Sequence, residues 1–375
     1  MTVVLFIYGG IVENTKVRIS KPHLGIREKL RVQKVLASGN LAQGRQVELF
    51  EKEFSRFVPE RHCVAVNSGT SGLHLALKAL GVGPGDEVIV PAFTFAATAN
   101  VVMLVGASPV FVDIDPLTFN MNVASIERLV TNRTKAIMPV HLYGQAAEIE
   151  AISSICKRLG LFLIEDAAQA HGAKSGQSYV GTFGDAAVFS FYPTKNVTSG
   201  EGGIIAVKEE SVENKIRMLR NQGMLQRYAN ELPGFNMRLS DIHAAIGYEQ
   251  VRKLEIFNEK RNRNAEIYNK ELDYRIVKPF KKQENFHVYH QYTVRVPFGK
   301  RDELAGFLKK RGIETGIYYP RTLNQFGYFG AKQEMPAAEL ASLEVLSLPI
   351  RPNLTRKEQK LVISEVNKFA SLELR

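Results

Sequence analysis

The sequence predicts an α/β fold, a mostly parallel sheet with helices on both faces, followed by a smaller α+β unit. Three observations carry this reading. Between residues 63 and 207 short apolar runs alternate with helix-length segments, which is the βαβ pattern. The turns after those runs hold Gly, Ser, Thr, Asp and Lys, and in such sheets ligands bind beyond the carboxyl ends of the strands. A long helical stretch from Ile242 to about Lys270 then precedes a change of pattern.

Taken in order, residues 26–38 read as a helix that Gly39-Asn40 ends, and 46–57 as a second, amphipathic one. Cys63–Val66 is a short strand. The turn Asn67-Ser68-Gly69-Thr70-Ser71-Gly72 follows, and a helix runs on over 73–80. Strand 87–91 leads to a helix over 94–104, with Phe93 and Phe95 at its mouth. Strand 109–113 ends in an Asp-Pro turn, a helix is expected over 123–131, and strand 135–140 runs into His141-Leu142-Tyr143-Gly144-Gln145. Helix 147–159 precedes strand 161–165, which ends at Asp166.

The stretch 186–203 is an apolar run stopped by Pro193, then Lys195 in a polar turn, then Gly200, Gly202 and Gly203. Strand 204–207 and helix 208–221 follow, and 222–240 is irregular. Ser240-Asp241 caps the long helix, which is expected to break or kink. Beyond it, strands are expected at 292–296 and 316–319 and helices at 301–311, 336–346 and 355–371. This divides the chain into an extension over 1–16, a large domain over 17–250 and a small domain over 251–375.

The composition, 45% hydrophobic and 23% charged, is that of an ordinary globular protein. Cys63 and Cys156 form no disulfide framework and sit among apolar residues, so packing is their expected role. No Cys/His cluster suggests a metal, and no apolar run is long enough for a membrane span. Residues 3–8 are apolar but lack the basic flank of a signal peptide, so a cytoplasmic enzyme is the expectation. The net charge of +11 favours anionic partners, while the spread of the basic residues and the lack of a binding motif argue against nucleic acid.

Three parts carry chemistry. The turn at 68–72 ends in a helix, where free backbone N–H groups and hydroxyls bind an anion, although the same residues also make a plain capped helix. Asp166 stands at a strand end. Lys195 follows a buried strand, where lost hydration lowers its pKa toward that of an imine-forming amine. Pyridoxal 5′-phosphate requires all three: a lysine for its aldehyde, a carboxylate for its pyridine nitrogen and a cradle for its phosphate. Ser190 adds a hydroxyl toward the phosphate, and Gln169 toward the ring's phenolic oxygen.

The segments Asn67–Leu73, Pro91–Thr98, Glu165–Gly172, Phe189–Asn196 with Gly200–Gly203, and Gly234–Ser240 resemble the DegT/DnrJ/EryC1/StrS aminotransferase family. The resemblance runs from about Val17 to the end. It implies a fold-type-I enzyme with a mostly parallel seven-stranded sheet, working as a homodimer with shared sites. By the same resemblance Lys195 carries the cofactor and Asp166 is the pyridine partner. Gln169 meets the phenolic oxygen, and Gly69, Thr70, Ser71 and Ser190 meet the phosphate. Phe95 stacks on the ring, and Asn236 with Arg238 reaches the phosphate from the neighbouring subunit.

The resemblance further implies transfer from glutamate to a nucleotide-linked keto sugar, with pyridoxamine 5′-phosphate as the aminated cofactor. His141, Tyr143, Tyr192, Tyr318 and Tyr319 are the expected substrate contacts. The Pro139–Gln145 motif is similar to members that work at C3 of a 3-keto-6-deoxy sugar. Amination at C4, a cyclitol substrate and a non-catalytic regulatory role are the alternatives. Two departures touch the sugar pocket: Tyr318-Tyr319-Pro320 where many members have His-Tyr-Pro, and Arg351 where many have histidine. Lys195 is retained, unlike in members that became dehydratases.

Overall fold

The computed structural model describes residues 15–330 and 333–374. The extension expected over 1–16 lies outside the described residues except for Thr15 and Lys16. One seven-stranded sheet forms from β1 (His62–Val66), β2 (Glu87–Pro91), β3 (Ser108–Val112), β4 (Thr134–Ile137), β5 (Phe162–Asp166), β6 (Ala186–Ser190) and β7 (Gly203–Val207), in the order β1-β7-β6-β5-β4-β2-β3. The pairs β2/β3, β2/β4, β4/β5 and β5/β6 are parallel. Only β7 runs against its neighbours, β6 and β1. Central strands are buried along their length, as continuous apolar runs covered on both faces must be.

The helices are α1 (Ile26–Ser38), α2 (Arg45–Phe54), α3 (Gly69–Ala79), α4 (Ala97–Leu104), α5 (Ile149–Leu159), α6 (Glu210–Arg220), α7 (Asp241–Val251), α8 (Leu254–Glu271), α9 (Arg301–Lys310), α10 (Pro336–Glu344) and α11 (Arg356–Glu373). Apolar residues of α3, α4 and α6 share one core with the sheet. Residues of α2 and α7 cover the opposite face around Phe50, Phe54, Phe189 and Phe191. Asp241 joins α7 to α2, accepting from the backbone N–H of Gly44, Gln46 and Val47 at the α2 start. The long helical stretch is two helices, α7 and α8, as the expected break requires.

A separate core gathers α8, α9, α11 and the antiparallel pair β8 (Tyr292–Arg295) and β9 (Val345–Leu348). Val17 belongs to this core: it bridges Ile313 and accepts from the N–H of Glu314 at 2.9 Å. Val17 therefore sits with the C-terminal unit, and the chain passes into the large one after it.

Local expectations fail where tertiary contacts decide. Helix α3 begins at Gly69, so the Ser/Thr/Gly turn is its first turn, capped by Ser68. The helix expected over 123–131 is two 3₁₀ turns, Val123–Ser125 and Glu127–Leu129. Nine residues with no long apolar face do not offset helix nucleation. The strand expected at 316–319 reduces to one bridge, Gly316 to Ser347, because Tyr318 leaves the sheet edge and its carbonyl accepts from the Tyr143 hydroxyl. The helix expected over 336–346 stops at Glu344, and Val345 turns into β9. Among the described residues no helix is long and apolar enough to cross a membrane, and no cluster of metal-ligating residues occurs.

Candidate active site

Four neighbouring elements meet at the carboxyl ends of β5 and β6. The first is the α3 N-terminus. Ser68 Oγ accepts from Ser71 N at 3.1 Å and lies 2.9 Å from Ser71 Oγ. The N–H groups of Gly69 and Thr70 have no acceptor among the described residues, so the positive end of α3 is open to an anion. Two glycines allow this placement. A Cβ on Gly203 would lie 2.6 Å from the Ser68 carbonyl oxygen, and one on Gly69 would lie 2.9 Å from Ser190 Cβ. Helix start, Ser190 and β7 are thus in contact, and Gly69, Thr70, Ser71 and Ser190 are brought together.

The second element is Asp166, the last residue of β5. It is buried, and its carboxylate accepts from Thr98 Oγ1 at 2.8 Å and from Ala168 N at 3.2 Å. Burial pushes its pKa above the ordinary aspartate value; the Thr98 hydroxyl and the Ala168 N–H hold it down in part. No Lys or Arg forms an ion pair with it among the described residues. The third is Lys195, in the turn after β6, with its N–H donating to Tyr192 O at 3.0 Å. Its amine makes no hydrogen bond among the described residues. Burial lowers its pKa to about 8, against the opposing pull of the Asp166 charge.

The fourth element is an aromatic wall. Phe95 is 58% exposed, and Tyr319 lies 6.0 Å away between ring centroids. Gln169 is buried beside it. Its Oε1 accepts from Tyr143 N at 2.9 Å and its Nε2 donates to Tyr319 Oη at 3.1 Å. Tyr143 is buried at φ 57°, a left-handed conformation that a bulky residue adopts only when its surroundings impose it. Gln169 and the Tyr318 carbonyl, which accepts from Tyr143 Oη, supply that constraint.

His141 is placed differently from expectation. It is fully buried, and both ring nitrogens are used: Nδ1 accepts from Ala147 N at 3.0 Å, so Nε2 carries the proton and donates to Glu165 at 3.0 Å. Glu165 also accepts from the N–H groups of Gly181, Phe183 and Gly184. The ring lies on the far side of β5 from the Asp166 carboxylate, since successive strand residues alternate faces, and it braces the sheet instead of meeting a substrate.

Arg351 is likewise committed within the chain, to Glu358, to Asn353 and to the Arg18 carbonyl. Asn236 is exposed, and Arg238 donates to Asn221 Oδ1 at 2.7 Å. Tyr192 is 37% exposed, and its N–H lies 3.5 Å from Ser190 Oγ. The sequence names no role for Thr98, although its spacing of four from Thr94 is that of one helix face; the two hydroxyls lie 3.3 Å apart.

These residues fit a phosphorylated pyridine. An open helix terminus with three hydroxyls suits the phosphate. A buried carboxylate without a cation partner suits a ring N–H, and an exposed ring beside it suits a flat face. A free amine of depressed pKa suits an aldehyde.

Comparison with known proteins agrees. The profile of the DegT/DnrJ/EryC1/StrS aminotransferase family matches residues 22–367. A pleiotropic regulatory protein of Geobacillus stearothermophilus is 43% identical, over 89% of this chain and 92% of that protein. A UDP-N-acetyl-3-dehydro-alpha-D-glucosamine 3-aminotransferase of Acidithiobacillus ferrooxidans is 41% identical, over 89% of this chain and 90% of that protein. The structure of S. venezuelae DesV in complex with a ketimine intermediate superposes with a TM-score of 0.88 at 38% identity, covering 92% of this chain and 94% of that one. The structure of NtdA from Bacillus subtilis with bound cofactor PMP superposes with a TM-score of 0.87 at 30% identity, covering 96% and 88%.

Proposed function

Because this chain belongs to the DegT/DnrJ/EryC1/StrS aminotransferase family, we propose that it moves the amino group of glutamate to the C3 ketone of a dTDP-linked 3-keto-6-deoxyhexose. The coarser activity, pyridoxal-phosphate-dependent transamination of a sugar, is that of its relatives. The relative that acts on a 3-dehydro sugar supports C3, and the net charge of +11 supports an anionic nucleotide as the handle.

The observation that carries the reading is Asp166, a buried carboxylate that forms no ion pair among the described residues, on the strand next to the one that leads to Lys195. Pyridoxal phosphate, when bound, supplies an electron sink for the carbanion left when a proton leaves Cα. The chain's own residues do the rest. Gly69, Thr70, Ser71 and Ser190 hold the phosphate. Asp166, oriented by Thr98, holds a proton at the pyridine nitrogen. Phe95 covers the ring, and Gln169 stands at its phenolic oxygen. Lys195 Nζ, once released, takes the proton from Cα and returns it as general base and acid. Tyr192, Tyr318 and Tyr319 line the approach of the sugar. Asn236 and Arg238 reach the phosphate of a second copy in a homodimer; the exposed side chain of Asn236 supports this.

Lys195→Ala and Asp166→Asn test the assignment. Both should fold, and each should lose turnover, Lys195→Ala entirely. Full transaminase activity in either variant removes that residue from the mechanism.

A further inference from the structure

The ladder between β5 and β6 ends at Asp166 and Val188. Beyond it two stretches of chain leave the sheet, and both carry site residues. One runs from Asp166 through Gln169 to Gly172, and the other is the turn that holds Lys195. A pair of buried amides joins them. Asn196 and Asn258 are 4% and 2% exposed. Asn258, on α8, donates from Nδ2 to the His171 carbonyl at 2.9 Å, and its Oδ1 accepts from Asn196 Nδ2 at 2.8 Å. Asn196 is the residue after Lys195. Gly172 makes the approach possible: it stands at φ 74°, and a Cβ there would lie 3.1 Å from Asn258 Nδ2.

The amide of Asn196 is fully used. Its Nδ2 also donates to the Val288 carbonyl at 3.0 Å, and its Oδ1 lies 3.3 Å from His290 Nδ1, which therefore carries the proton. One turn along α8, Arg261 donates to the carbonyls of Tyr289 and His290 and holds that segment in place. A buried polar network with its groups satisfied fixes one geometry. The Lys195 amine makes no hydrogen bond of its own, so the place of its turn decides where the amine stands.

We propose that Asn258 is a positioning residue for transamination: through Asn196 it holds the Lys195 turn against the chain that carries Asp166, so that the lysine amine is placed for the cofactor's aldehyde. The inference rests on the transaminase reading above. Helix α8 spans from the core of the large domain, at Leu254 and Phe257, to that of the small one, at Ala265 and Tyr268. Asn258 is thus where the helix that links the domains grips the site.

The test compares pyridoxal 5′-phosphate with pyridoxine 5′-phosphate on the apo protein. The second has the same ring and phosphate but an alcohol in place of the aldehyde, so it cannot join Lys195. By calorimetry Asn258→Ala should bind pyridoxine phosphate within about twofold of wild type, while its affinity for pyridoxal phosphate falls roughly 10-fold or more. In the loaded protein the rate of bleaching at saturating glutamate should fall by a similar factor. Asn262→Ala is the control. Asn262 stands one turn further along α8 and donates to the carbonyls of Asn258 and His287 at 3.0 and 2.9 Å, so its loss removes as many bonds without touching the Lys195 turn. It should leave both affinities and the bleaching rate near wild type. Adding Asn196→Ala to Asn258→Ala should cost little more than either alone, as coupling within one network requires. If Asn258→Ala does not fold, Asn196→Ala breaks the same bond from the other side and should show the same selective loss.

Equal losses for the two phosphates, or a folded Asn258→Ala that matches Asn262→Ala, overturns the proposal, and Asn196→Ala is judged the same way where Asn258→Ala does not fold. A wild type that binds pyridoxal phosphate no more tightly than pyridoxine phosphate overturns the transaminase reading and the proposal with it, so the two failures are distinguishable.

Discussion

The hydroxyl of Thr98, in the first turn of α4, donates to Oδ2 of Asp166 at 2.8 Å across the sheet end. Burial alone would favour the neutral acid at Asp166. Thr98 works in the opposite direction and favours the charged carboxylate, the form that holds a proton at a ring nitrogen.

Thr98→Val removes that donor and leaves the carboxylate one backbone N–H. A hydrogen bond to a charged group contributes about 1.5–3 kcal/mol, so kcat/KM should fall on the order of 10-fold or more. The pKa of Asp166 should rise, moving the acid limb of the pH profile to higher pH. Thr98→Ser should restore both. A profile that keeps its acid limb in Thr98→Val would place the control of Asp166 elsewhere.

Gly203→Ala sets a methyl group 2.6 Å from the Ser68 carbonyl and pushes the α3 start off β7. The overlap should cost roughly 1–3 kcal/mol of stability. It should also weaken pyridoxal phosphate uptake more than a change at the exposed Tyr274 does. Denaturant titration and cofactor titration read the two effects independently.

Lys195 has a folded pKa of about 8, below the ordinary lysine value of about 10.4. Between these values the unfolded chain binds more protons than the native one. The cost of burying the charged amine is thus present below about 8 and is relieved as the pH rises toward 10.4. The apo protein should gain stability across that window relative to Lys195→Met. The rate of pyridoxal phosphate uptake, which needs the neutral amine, should inflect near pH 8, as followed by the growth of visible absorbance.

Glu165 is fully buried and receives His141 and three backbone N–H groups. Burial pushes its pKa up, but the His141 proton and those N–H groups outweigh it and hold it below the ordinary value. Its contribution to stability is therefore complete at neutral pH and is lost as the pH falls through the folded value. Glu165→Gln turns an amide N–H toward backbone donors. It should cost about 3 kcal/mol in urea titrations at neutral pH and flatten the acid dependence of stability.

Much of this was legible in the sequence because the pattern of buried strands and capped turns is local. Lys195, Asp166 and the Ser/Thr/Gly turn stand at strand ends in any register of a parallel sheet. His141 shows the limit. It also stands after a strand, and only the pairing of Val140 with Asp166 decides that its ring meets Glu165 on the far side. Residues 345–346 read as the end of a helix until Tyr292–Arg295 is laid beside Val345–Leu348. Arg261 is one of several basic residues on α8, and only the packed chain decides that it is buried and donates to the carbonyls of Tyr289 and His290.

The most direct measurement is the visible spectrum of the cofactor-loaded protein through one turnover. Glutamate should bleach the visible band, and one member of a panel of 3-keto and 4-keto sugars linked to dTDP or UDP should restore it, the dTDP 3-keto sugar first. A protein that takes up no pyridoxal phosphate, or a band that glutamate leaves unchanged, would contradict the account.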